Sequence, residues 1–162
     1  MSSRFTFQSL FLRAAACAAL TLSAAASHAE ITVRDAWVRA TVPAQKATGA
    51  FMQLTSTEPV RLVEVRSGSA KIVEIHEMRM EGDRMMMRAI PGLDLAPGRP
   101  VELRPGGHHV MLIDLVRPIG PGDQVPLTLV LEGRDGKRTP LEIRAEARAL
   151  NAMPAAPSHP HH

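Results

Sequence analysis

Residues 74–89 read Glu74-Ile75-His76-Glu77-Met78-Arg79-Met80-Glu81-Gly82-Asp83-Arg84-Met85-Met86-Met87-Arg88-Ala89, two strand-like runs about a Gly-Asp pair. Such a two-residue loop between extended runs predicts a β-hairpin and fixes its register. In that register Glu81 faces Arg84 and Glu77 faces Arg88. Each opposite-charge pair contributes roughly 0.2–1 kcal/mol, so a one-residue slip is disfavoured. Met78 then lies opposite Met87, and His76 is the diagonal neighbour of Met87. His76, Met78, Met80, Met85 and Met87 share one sulfur-rich face.

Outward from the hairpin, short apolar or β-branched runs alternate with Gly and Pro, and no long 3.6-residue periodicity appears. Strands are predicted at Ile31–Arg39, Gly49–Thr55, Val60–Arg66, Lys71–Met80, Arg84–Ile90, Pro100–Arg104, His109–Val116, Val125–Leu131 and Pro140–Ala147. Their spacing of about eight to twelve residues predicts a single all-β domain, a Greek-key sandwich or small barrel. Turn signals separate them at Pro91-Gly92, Pro97-Gly98, Pro105-Gly106-Gly107, Pro121-Gly122 and Asp135-Gly136. Val73 and Ile75 have the parity of Glu77, so the apolar face switches near His76; this predicts a bulge or the end of the packed core there.

The ends of the chain differ from the middle. Arg4 and Arg13 precede a short apolar run, Ala14 to Ala26, with small residues at Ser27 and Ala29. This is the pattern of a secretory signal over residues 1–29, cut after Ala29, too short and Ala-rich for a membrane span. The only cysteine, Cys17, lies inside it, and Ala14-Ala15-Ala16 before it lack the leucine usual in a lipid-attachment signal. The mature chain then has no thiol, and a metal site must do without thiolate. Residues 151–162 form a Pro- and His-rich tail with Met153, whose three histidines, His159, His161 and His162, are candidates for capturing a metal; a solvated terminus is the alternative. The β-sandwich domain is expected over 30–150, in a periplasmic, monomeric protein without stable membrane insertion.

Two of the nineteen Lys and Arg fall in the signal, leaving seventeen against sixteen acidic residues. Basic residues are scattered and aromatics are few, which argues against nucleic-acid binding. No Ser-His-acid arrangement, carboxylate pair or phosphate loop points to hydrolysis or nucleotide chemistry.

The chemistry lies in His76, then Met87 after ten residues, then His109 and Met111 after twenty-one more. Thioether sulfur is a soft donor that favours Cu(I), and imidazole suits several transition metals. His109 and Met111 lie two apart, so in a strand both side chains leave one face, about 6.5–7 Å apart along the backbone. Gly106-Gly107 before them lets the chain turn or approach another backbone closely. Met is a common core filler, yet all four positions would match such a spacing by chance about once in a thousand sequences of this composition. His108, Met78, Met80 and Met85 are the substitutes should one ligand differ.

At these residues the sequence resembles the periplasmic copper chaperone family PCu(A)C, whose signature is His or Met, ten residues, Met, twenty-one residues, then His-x-Met. The resemblance takes in Asp35-Ala36-Trp37-Val38-Arg39, Val73-Glu74-Ile75-His76-Glu77 and Pro105-Gly106-Gly107-His108-His109-Val110-Met111-Leu112. It implies a cupredoxin-like β-sandwich that binds one Cu(I) and passes copper to the Cu(A) centre of cytochrome c oxidase subunit II, alongside a Sco-type protein. It also implies that a tail such as residues 151–162 holds additional Cu(II). A carrier, not an enzyme, is therefore expected. Copper storage, uptake or tolerance is the alternative within the binding class. A copper-dependent oxidoreductase is the alternative of another class, using His28 as N-terminal residue after a cut at Ser27; a blue-copper centre is excluded by the lack of a mature cysteine.

Overall fold

The computed structural model describes residues 29–149. The expected signal up to residue 28, with Cys17 and His28, and the tail with Met153, His159, His161 and His162, lie outside the described residues. Ten strands make up the fold: β1 Ile31–Arg39, β2 Ala47–Ser56, β3 Val60–Arg66, β4 Ala70–Glu81, β5 Arg84–Ala89, β6 Leu93–Leu95, β7 Val101–Leu103, β8 His109–Leu115, β9 Gln124–Gly133 and β10 Arg138–Arg148. Nine coincide with the predicted runs to within a few residues. The tenth, β6, has no predicted counterpart: Leu93-Asp94-Leu95, between Pro91-Gly92 and Pro97-Gly98, is too short for its alternation to stand out from a turn region. Its pairing with Val60–Leu62 of β3 buries Leu95, and Gly92 beside it lets the backbone approach the Leu62 carbonyl, where a Cβ would sit at 2.7 Å.

The hydrogen-bonded order is β5-β4-β8-β2-β1-β10-β9-β3-β6, with β7 sharing the β8 side of β2. The β1–β10 pairing is parallel and short, three residue pairs, and joins two antiparallel halves. These halves close over one core that draws Val38, Leu54, Leu62, Leu103, Val110, Leu112, Leu127, Leu129 and Ala145 from both. Each fully buried Leu or Val contributes about 1.5–3 kcal/mol, ample for a domain without a disulfide. A parallel bridge from Ser56 to Pro97, with Gly98 N–H donating to Ser56 O, ties the β6–β7 connection back to β2.

The β4–β5 register is the one read from the sequence: Glu81 opposite Arg84, Met78 opposite Met87, Glu77 opposite Arg88. Arg88 Nε donates to Glu77 Oε1 at 2.7 Å. The bulge expected near His76 is absent, because β4 and β8 pair without a register shift from Ala70 to His76. The parity switch instead marks the end of the packed core. Ile75 faces the core, His76 is buried on the opposite face, and beyond it β4 outruns β8 and pairs only with β5.

A bulge does occur in β1, between Arg34 and Trp37, where Asp35 adopts a left-handed backbone (φ 49°) held by the Arg148 guanidinium on its carboxylate. The extra residue reverses the alternation beyond it. Trp37 therefore stands opposite Phe51 on the outer face, ring centroids 4.5 Å apart, and leaves the core to Val38.

Candidate metal centre

The outer face of β5-β4-β8-β2-β1 brings the sequence-predicted donors into adjacent rows. His76 of β4 stands directly opposite His109 of β8, their ring centroids 5.7 Å apart. One row along, Met111 of β8 lies between Glu74 of β4 and Gly49 of β2; one row the other way, Met78 of β4 faces Met87 of β5. Met78, Met87, His109 and Met111 line a shallow hollow of about 300 Å³, with Arg39, Gly49 and Phe51 among its walls. His76 does not line it and is packed against His109 at its side.

Each imidazole has one nitrogen engaged by an oxygen acceptor; the other faces a thioether sulfur in His109 and has no hydrogen-bond partner in His76. His109 Nδ1–H donates to the Gly107 carbonyl at 3.0 Å, an acceptor delivered by the tight Arg104–Gly107 turn, which needs glycine at Gly106 (φ 79°). The lone pair of a neutral ring is then on Nε2, which stands 3.2 Å from Met87 Sδ. His76 Nε2–H donates to Glu74 Oε2 at 2.7 Å, leaving Nδ1 buried without any hydrogen-bond partner. A buried nitrogen left unpaired is costly. A ligand that accepts its lone pair relieves that cost, and a carboxylate on the far nitrogen is a common way to orient a metal-ligating imidazole.

The donor set therefore fits a soft metal ion. Among the described residues no group of three or more His, Cys, Asp and Glu could hold a metal, so an ion here needs thioether sulfur. The two sulfurs and two imidazoles are neutral donors of the kind Cu(I) prefers.

Behind the donors, Phe51 lies 6.3 Å from the His109 ring and spans the gap to Trp37. Its ring lies over Gly49, whose absent side chain makes the space. Sequence reasoning passed over Glu74, Phe51 and Gly49. For Glu74 a signal existed, since it sits two residues before His76 and so shares its strand face. His108, held in reserve as a ligand, comes within 3.9 Å of the Glu77 carboxylate. Met80 and Met85 lie one row beyond Met78 and Met87 and are exposed.

A family described as "LpqE-like: Putative lipoprotein LpqE-like" matches residues 31–143. The chain belongs to the LpqE-like family. A curated relative of this LpqE-like chain, "Putative lipoprotein Lxx21020" of Leifsonia xyli subsp. xyli (strain CTCB07), is 28% identical over 114 residues, 70% of this chain and 68% of that protein. Among solved structures, the copper-bound PCuAC domain from PmoF2 is 25% identical, with TM-score 0.59, covering 75% of the LpqE-like chain and 98% of that domain. The Cu(I) form of DR1885 from Deinococcus radiodurans, in solution, is 29% identical with TM-score 0.56, covering 76% of the LpqE-like chain and 83% of its own. The fold is thus the cupredoxin-like β-sandwich of PCuAC domains.

Proposed function

We propose that this protein is a copper carrier of the cell envelope that holds one Cu(I) between His76 Nδ1, His109 Nε2, Met87 Sδ and Met111 Sδ. The observation that carries the reading is the pair of ring nitrogens not engaged by Glu74 or Gly107, one a buried atom without a partner and the other 3.2 Å from a thioether sulfur. The copper-bound PmoF2 domain and the Cu(I) form of DR1885 share this fold and support the choice of metal. The lipoprotein names in the family and in the Leifsonia relative support an extracytoplasmic location, reached by the signal over residues 1–29.

Release follows from the ligands. Thioethers are neutral and bind without losing a proton, so the site keeps the charge of the ion and yields it to a recipient offering thiolates. The recipient we propose is the Cu(A) centre of cytochrome c oxidase subunit II, reached with a Sco-type partner. The tail is proposed to add a Cu(II) site through Met153, His159, His161 and His162.

Cu(I) and Cu(II) stoichiometry and affinity of the purified mature protein test the site, beside a Met87→Ala, Met111→Ala double variant. One tight Cu(I) site lost in the variant supports the carrier; unchanged Cu(I) binding removes it. Deleting the gene and measuring oxidase Cu(A) content in copper-replete cells tests the recipient. A copper-poor oxidase supports assembly, and a fully loaded one directs the reading to storage or tolerance.

A further inference from the structure

The β4–β5 hairpin sorts its side chains by chemistry. Over the paired segments 76–81 and 84–89, one face carries His76, Met78, Met80, Met85, Met87 and Ala89; the other carries Met86 and every charge, Glu77, Arg79, Glu81, Arg84 and Arg88. The uncharged face thus presents four thioethers in two directly opposed pairs, Met78 with Met87 and Met80 with Met85. Opposed residues place their Cβ atoms about 4.5–5.5 Å apart, within the span two Met side chains close around one ion. Successive rows lie about 6.4–6.8 Å apart along the strands.

The inner pair belongs to the hollow with His109, but the outer pair does not. Met80 and Met85 are 56% and 54% exposed, on a hairpin whose second strand is a sheet edge. Core filling, the usual reason for methionine, does not account for them. Protection of the edge does not either, since charges serve that purpose and all lie on the opposite face.

We propose that Met80 and Met85 form a second, weaker Cu(I) site, an outer landing from which the ion passes to Met78 and Met87 and then to the histidines and Met111. The proposal rests on the copper-carrier reading for its cargo. The ion stays Cu(I) throughout. Each move makes a bond to the next sulfur as a bond to the previous one breaks, and no electron or proton changes place. Met87 Sδ, already 3.2 Å from His109 Nε2, is the donor common to the middle row and the inner site. An all-thioether pair has little affinity for hard cations or Cu(II), and the inner site, with two imidazoles added, draws the ion inward.

The test is an anaerobic Cu(I) titration of the full mature chain carrying ¹³C-methyl methionine. The first equivalent is expected to shift the Met87 and Met111 methyls. Excess Cu(I) is then expected to shift Met80 and Met85 while Met86, on the charged face, and buried Met52 stay still. A Met80→Leu, Met85→Leu variant keeps the apolar surface and removes only the sulfurs. It should retain first-equivalent binding and take up Cu(I) from a competing chelator severalfold more slowly. Met80 and Met85 unmoved by excess Cu(I), or a leucine variant that loads at the wild-type rate, overturns the landing site and leaves the carrier standing. Shifts at Met80 and Met85 without any at Met87 and Met111 would overturn the inner site of the carrier reading and, with it, the proposed inward transfer.

Discussion

His109 Nε2 and Met87 Sδ meet at 3.2 Å although their strands, β8 and β5, do not pair, with β4 lying between them. The thioether reaches across an intervening strand to place its sulfur against Nε2, while the other ring nitrogen, Nδ1, donates its N–H to the Gly107 carbonyl. Met87 is half exposed, so this position reflects the donor it faces more than burial.

Met87→Leu should therefore leave the fold almost untouched, within about 0.5 kcal/mol as for most surface changes. Loss of one metal bond should weaken Cu(I) binding by about a hundredfold, which is near 2.7 kcal/mol. Denaturant midpoints and competition with a Cu(I) chelator measure the two effects. Equal Cu(I) affinity in the variant would mean that Met87 is no ligand.

Glu74→Gln should act through His76. The carboxylate that accepts from Nε2–H fixes which nitrogen faces the centre, and losing such an orienting partner costs about 10- to 100-fold in metal affinity. Chelator competition reads the loss, with secondary structure by circular dichroism unchanged. An unaltered affinity would show that His76 is oriented by packing alone.

Gly49→Ala should destabilise the protein by about 1–3 kcal/mol, the cost of overpacking. The new Cβ would lie 2.7 Å from the tip of the Phe51 ring, which is 5% exposed and held between Trp37 and His109. A denaturation midpoint equal to wild type would mean the ring moves aside freely.

Asp123 gives a pH signature far from the site. The Arg117 guanidinium, hydrogen-bonded at 2.9 Å, and then the Gly120 backbone N–H hold its carboxyl below the ordinary 3.8. A depressed carboxylate stabilises the fold above its unfolded pKa, and this contribution is lost as pH falls through the lower folded value. Asp123→Asn should therefore melt below wild type at neutral pH, with the gap closing progressively below about pH 4. Thermal melts at neutral and strongly acidic pH check it; a gap that persists in acid would implicate lost packing.

Intact mass of the protein recovered from the envelope tests the leader. A chain beginning at Glu30 is expected. A lipid-modified chain beginning at Cys17 would instead make the carrier a tethered one, in keeping with the lipoprotein names of its relatives.

Most of the hairpin was legible because its information is local. Gly82-Asp83 fixes the turn, and the Glu77–Arg88 pair selects the register that the structure shows. The three residues of β6 were illegible, since their strand character comes from pairing with β3 and burial of Leu95. The same holds for Phe51 and Gly49, ordinary strand residues until the bulge at Asp35 turns Trp37 outward against them.

The sequence by itself determined the all-β class, the hairpin register and the identity of the four candidate donors, because side-chain alternation, turn chemistry and ligand softness are properties of short segments. Only the tertiary structure decided that β8 pairs with β4 so that His109 stands opposite His76, that Glu74 and Gly107 each occupy one ring nitrogen, and that Met87 crosses β4 to reach the other histidine. The His76–His109 pairing and the Met87–His109 contact join residues more than twenty positions apart. Glu74 and Gly107 are each only two positions from their histidine, but the ring orientations that let them accept follow from the packing of the sheet over one core.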